Sequence, residues 1–240
     1  MVDYGESTID LLHSVYDRGV RHAVALMRHS AREFEPGRHD LENPLTAEGR
    51  ELAHRLGSRL PEALTVRGYA SPPQRCMETA ELILAGYAAG GGEVTRHRPL
   101  EALGVFYVLD QMKMWRSMND AGGLPEFLEA WFRGAVPTDA MMPPDVAARL
   151  VLRVMAGKLA APVTRAGGES VRQLDVCVSH DMTVLLVRDR LLGEEVALAN
   201  VEFLDTLVAF EEDGALWMTS HHGEPVRVSP QLSGERNHGV

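Results

Sequence analysis

The chain has 240 residues, with 34 acidic against 24 basic side chains and a formal net charge of -10 at pH 7. That excess opposes attraction to nucleic acid or to an anionic membrane surface, and no run approaches the roughly 20 apolar residues that a membrane span needs. The two cysteines, Cys76 and Cys177, form no Cys-x-x-Cys pair, which argues against a disulfide framework or a cysteine zinc site.

A composition 45% hydrophobic and 24% charged is that of an ordinary globular protein with a sizeable core. The amino-terminal segment holds acids and a histidine rather than a signal-peptide core, so the expected location is the cytoplasm. With no internal repeat, residues 1–240 read as a single domain.

In chain order, HAVALM at His22–Met27 has the length and apolar content of a buried strand. Thr46 then caps a predicted helix whose Leu52, Leu56 and Leu60 recur every four residues on one face. A second strand is expected at Leu64–Ala70 and a helix at Arg75–Ala85. The stretch from about Ala102 to Pro144 is rich in Met, Trp, Gly and Pro and interrupts the pattern, so it reads as an inserted cap. Its Met112, Met114, Trp115, Trp131 and Phe132 equally suit a small hydrophobic core. A helix at Pro144–Leu159 follows, with Val146, Leu150 and Val154 as its core stripe. Next come a strand at Leu174–Val178 and a helix at Met182–Leu192. Strands at Leu207–Glu211 and Ala215–Thr219, joined by Asp213-Gly214, form a hairpin at or near one sheet edge. Strands alternating with helices predict an α/β fold with a mostly parallel sheet covered on both faces.

In such sheets ligands bind beyond the carboxyl ends of the strands. The first three strands end in Arg28-His29-Ser30-Ala31-Arg32, Ser71-Pro72-Pro73-Gln74-Arg75 and Ser179-His180-Asp181. Two other Arg-His dipeptides, Arg21-His22 and Arg38-His39, do not follow a buried-type strand, so position rather than identity selects Arg28-His29. Taken singly, His29 suits a hydrogen-bonded structural histidine, Asp181 a helix cap, Arg75 a solvated first-turn residue and Arg32 a surface ion pair. Their convergence favours one phosphate dianion, which needs several donors and an in-line nucleophile.

Four ordered blocks, VALMRHSARE, PLTAEGRELAHRLGSRL, YASPPQRCMETAELI and CVSHDMTVL, resemble the histidine phosphatase superfamily of phosphoglycerate-mutase-like enzymes and histidine acid phosphatases. The resemblance implies a three-layer α/β/α sandwich. It also implies that His29 is a nucleophile forming a phosphohistidine, that Arg28 and Arg75 grip the phosphoryl oxygens, and that His180 donates a further hydrogen bond. Arg32 matches an additional arginine of the acid-phosphatase branch. Asp181 matches that branch's proton donor and is preferred over Glu101, which occupies the place of the mutase-like branch's acid. Ser30 departs from the family's usual glycine, and serine is small enough to be accommodated.

The expected activity is phosphomonoester hydrolysis on a phosphorylated small molecule or phosphoprotein, with no cofactor and no metal. A phosphomutase and a noncatalytic phosphate-recognition module are the alternatives, and the oligomeric state is left open. His221-His222 imitates a metal pair, but adjacent strand side chains point apart and no carboxylate constellation lies nearby in sequence, so an exposed or structural role is expected. No P-loop, His-Glu-x-x-His or Gly-x-Ser-x-Gly occurs. Cysteine phosphatase chemistry requires an arginine six residues after the cysteine, where Leu82 and Thr183 stand instead.

Overall fold

The computed structural model describes residues 4–35, 37, 42–164, 171–194 and 201–231. Arg38-His39 therefore lies outside the described residues. In chain order the elements are α1 (Glu6–Asp17), β1 (His22–Arg28), α2 (Ala47–Ser58), β2 (Thr65–Ala70), α3 (Gln74–Ala89) and the short β3 (Glu93–Val94) and β4 (Arg98–Pro99). A 3-10 turn (Glu101–Leu103), α4 (Gln111–Ala121), α5 (Leu124–Phe132), α6 (Pro144–Leu159), β5 (Gln173–Ser179) and α7 (Asp181–Val187) follow. A π turn (Arg188–Leu192) then leads to β6 (Thr206–Glu212), β7 (Ala215–Thr219) and β8 (Val226–Arg227).

One eight-stranded sheet runs in the order β3-β2-β5-β1-β6-β7-β8, with β4 also paired to β2. The strands from β1 to β5 pair parallel, whereas β6, β7 and β8 form an antiparallel edge. The hairpin turn places Asp213 and Gly214 at φ 52° and 71°, the left-handed pair that a two-residue hairpin uses.

Alternation along β1 splits its side chains between two cores. Ala23, Ala25 and Met27 pack with α1, α2 and α3, while Val24 and Leu26 pack with α5, α6 and α7. This is the expected three-layer arrangement. Being covered on both faces, β1 is apolar throughout its interior, as parallel strands are.

Close helix packing fixes the first layer. A Cβ on Gly57 of α2 would stand 2.0 Å from the Ile83 carbonyl oxygen, and one on Gly86 of α3 would stand 2.0 Å from that of His54. Only glycine lets these two backbones approach so far.

Two expectations need correction, the core stripe of α6 and the extent of the helix after His180. The buried face of α6 is Ala147, Ala148, Val151, Leu152 and Met155, and Val146, Leu150 and Val154 lie half-buried on its flank. The stripe at every fourth residue is present in sequence, but the face that packs against the second core is the neighbouring one that includes Ala147 and Ala148. The helix after His180 is α-helical only to Val187, then widens to a π turn. Between Ala102 and Pro144, α5 buries Phe127, Leu128 and Trp131 in the second core, while α4 leaves Met112 and Trp115 exposed. No helix among the described residues is long and apolar enough to cross a membrane.

Candidate active site

The carboxyl ends of β1, β2 and β5 meet at one place because these strands are parallel neighbours with Arg28 paired to Ser179 and Ala70 to Val178. His29, the first residue past β1, is 2% exposed, yet its surroundings are polar. Its main-chain N–H donates to the Ser179 carbonyl at 3.0 Å, locking it to the end of β5.

The ring of His29 has a defined tautomer. Nδ1 lies 2.8 Å from the Ser30 carbonyl oxygen, which can only accept, so Nδ1 carries the proton. Nε2 is left with its lone pair and accepts from Arg75 Nε at 3.0 Å. Burial, and then the charge of Arg75, hold the imidazole pKa well below its usual 6.5. At neutral pH His29 is thus uncharged, with a bare nitrogen facing a cation.

Arg75 stands in the first turn of α3, the end of a helix that favours anions. It is 2% exposed, and its Nη2 also points to His180 Nδ1 at 3.4 Å. A guanidinium only donates, so His180 Nδ1 accepts and Nε2 carries the proton to Ser71 Oγ at 2.9 Å. The rings of His29 and His180 stand edge to face, 5.8 Å apart. Three strand ends thereby converge as expected.

Arg28, the last residue of β1, is clamped from several sides. Its Nη1 donates to the Val201 carbonyl at 2.5 Å, its Nη2 meets Asp181 Oδ2 at 3.0 Å, and its guanidinium lies 4.1 Å over the Phe203 ring. Burial lowers its pKa from the usual arginine value, Asp181 opposes that shift, and Arg32 and Arg75 add to it. Its Nε is buried without a hydrogen-bond partner among the described residues. An orphaned donor of this kind, beside a neutral histidine and a second arginine, suits an incoming anion.

The remaining predicted residues are less central. Arg32 is half-buried, donates to the Glu33 carbonyl at 3.1 Å and lies 6.0 Å from the Phe34 ring centre. Asp181 opens α7, and its second oxygen accepts from the Met182 N–H at 2.8 Å, so both its oxygens are engaged. Glu101 is exposed in the 3-10 turn and has no side-chain partner among the described residues. That turn is pinned to the site from two sides, since Leu100 N–H donates to the Ala70 carbonyl and Ser179 Oγ donates to the Leu103 carbonyl.

Ser30 fits as expected from its size, and some other supporting residues had no part assigned from sequence. Ser30 turns its hydroxyl away from His29 and donates to the Gly49 carbonyl at 2.7 Å, which accommodates it in place of glycine. Thr79, one helical turn beyond Arg75, accepts the Ser30 N–H at 3.1 Å. Ser71 was visible at a strand end without an assigned part, whereas Phe203 comes from a distant loop with no local signal. A groove of about 730 Å³ at the opposite ends of the strands is lined by Arg21, Glu62, Glu93 and Arg172 among others and contains no histidine or cysteine.

Residues 20–200 match the family model of the histidine phosphatase superfamily, branch 1. The chain belongs to the histidine phosphatase superfamily. This member is 19% identical to a phosphoglycerate mutase from Bacillus anthracis str. Sterne, with a TM-score of 0.55 over 85% of this chain and 94% of the other. Bacillus stearothermophilus YhfR is 17% identical, with a TM-score of 0.52 over 83% of this chain and 96% of its own. A phosphoserine phosphatase variant from Entamoeba histolytica, solved with phosphoserine, is 15% identical with a TM-score of 0.49 over 87% and 95%. Among curated proteins, no sequence matches the chain. At these identities the likeness is one of fold.

Proposed function

We propose that this histidine phosphatase superfamily member hydrolyses phosphomonoesters through a phosphohistidine on His29. The observation that carries the reading is the tautomer. With Nδ1–H bonded to the Ser30 carbonyl, the Nε2 lone pair opens onto Arg75 and, beyond it, His180. A neutral imidazole so held is a ready nucleophile.

In the first step Nε2 forms a bond to phosphorus as the ester P–O bond breaks, and the leaving oxygen takes a proton from a nearby acid. In the second, water gives up a proton to the same acid and attacks phosphorus, the P–N bond breaks, and phosphate leaves. Arg28 and Arg75 offset the charge on the transferring oxygens, so the positive charge of this reading comes from guanidiniums.

We assign the acid to Glu101, reversing the preference drawn from sequence. What supports this is that Asp181 has one oxygen on Arg28 and the other on its own helix, an acceptor pattern suited to fixing the arginine. Glu101 is unencumbered on a turn tethered to β2 and β5. Tyr107 Oη bonds Thr183 Oγ1 at 3.0 Å, anchoring the Ala102–Pro144 segment to α7, and we take this segment to select among phosphorylated substrates. Two buried free cysteines suit the cytoplasm.

The test is phosphate release from an aryl phosphate and a metabolite panel by wild type and His29→Ala, with folding checked by circular dichroism. Loss of turnover with a trappable acid-labile phosphoenzyme in wild type is expected. Undiminished turnover in His29→Ala would overturn the mechanism, and isomerised product without free phosphate would replace hydrolysis by a mutase reaction.

A further inference from the structure

We propose that Asp205, His221 and His222 form a binding site for a divalent transition ion of the zinc class, beside the phosphoryl-transfer cluster and distinct from it. Both sequence-based reasons for setting aside His221-His222 fail in the folded chain. The pair does not lie on a strand. β7 ends at Thr219, and the His222 N–H turns back to Ser220 Oγ at 2.9 Å. The two rings consequently lie on one side, their centroids 3.8 Å apart. A carboxylate is also present, because the antiparallel pairing of β6 with β7 sets Asp205, just before β6, against the turn after β7.

The geometry suits a metal. One ligand atom from each residue lies within 4.8 Å of the others, and His221 Nδ1 faces Asp205 Oδ1 at 3.3 Å. Two ligands each about 2.0–2.1 Å from a tetrahedral zinc stand roughly 3.3 Å apart. Asp205 and His221 already have that spacing, and His222, being exposed, is free to rotate the remaining distance. The His222 ring has no hydrogen-bond partner among the described residues, and the only polar partner of the His221 ring among them is Asp205, the carboxylate of the same cluster.

The carboxylate is pre-oriented as a ligand should be. Asp205 is 2% exposed, its Oδ2 accepts from Arg188 Nη1 at 2.7 Å, and its Oδ1 accepts the Thr206 N–H at 2.8 Å. The buried Arg188 is shared with Glu194, whose Oε2 lies 3.0 Å from its Nε. Two carboxylates against one guanidinium leave a negative charge for a cation to balance. Two imidazoles and one carboxylate favour zinc, cobalt or nickel over magnesium or calcium. Solvent would complete the coordination. The ion would brace the antiparallel edge against β1, since the Asp205 carbonyl accepts the Arg28 N–H at 2.9 Å.

Metal-stripped full-length protein titrated calorimetrically with Zn²⁺ tests this. One stoichiometric site is expected in wild type and in His29→Ala, weakened by more than the roughly 10–100-fold that loss of a mere outer-shell partner costs in the double variant His221→Ala/His222→Ala. Mg²⁺ should give no heat. Co²⁺ should show visible bands of a low-coordinate site in wild type that vanish in the double variant. Absence of stoichiometric Zn²⁺ binding, or binding that survives the double variant and disappears with His29→Ala, would overturn the proposal. His221 and His222 are both exposed, so near-wild-type circular dichroism is expected of the double variant.

Discussion

Arg75 Nε donates to His29 Nε2 across 3.0 Å, so the guanidinium proposed to hold phosphate also covers the nitrogen proposed to attack it. A dianion outcompetes an imidazole for a guanidinium, and binding would therefore uncover the lone pair at the moment it is needed.

Replacing Arg75 by lysine keeps the charge and loses the planar fork that reaches His29 and His180 together. Turnover on an aryl phosphate should fall about 10²–10³-fold, the usual cost of one donor to a developing oxyanion. Steady-state kinetics on Arg75→Lys and Arg75→Ala would measure it, and a lysine variant within a factor of two of wild type would argue against the fork.

The two candidate acids separate by leaving group. Glu101→Gln should slow alkyl phosphates far more than nitrophenyl phosphate, because only a poor leaving group needs the proton. Asp181→Asn should slow both alike, through a loosened Arg28. The reverse pattern would return the donor to Asp181.

Acid should destabilise the fold through His29. Its folded pKa is depressed by burial and by Arg75, so below about 6.5 the unfolded chain takes up a proton that the folded chain refuses. This contribution is intact above about pH 6.5 and is lost as pH falls towards the depressed value, by at most roughly 1.4 kcal/mol per pH unit. Urea midpoints from pH 8 to pH 5 should drop less steeply for His29→Asn than for wild type. Parallel curves would contradict the shift.

Neither thiol should react in the native state. Burial pushes Cys76 up to about 12 and raises Cys177 as well, and Cys76 Sγ sits 3.9 Å from His180 Nε2. At pH 8 a disulfide reagent should release no chromophore until urea is added, after which two thiols respond. Rapid labelling of folded protein would show that the first core opens easily at α3.

The sequence made the sheet's parallel half and the convergence of His29, Arg75 and His180 readable, since each follows a strand whose apolar run is strong. It did not reveal α1, whose entry at Gly5 has no side-chain cap although Ile9, Leu12 and Tyr16 recur at helical spacing. Nor did it show Phe203 beneath Arg28 or Asp205 beside His221, because such contacts depend on how an irregular connection returns to the sheet. The α6 stripe misled for a related reason: periodicity identifies a helix better than it identifies which neighbouring ridge, apolar or small, will meet the sheet.

The glycine contact between α2 and α3 bears on the geometry of the proposed site. The Gly49 carbonyl in α2 receives the Ser30 hydroxyl next to His29, while α3 carries Arg75, so the spacing of those two helices sets the spacing of His29 and Arg75. A methyl group added at position 57 or 86 would act as a wedge. Its effect would register as weakened recognition of phosphate by side chains it never touches.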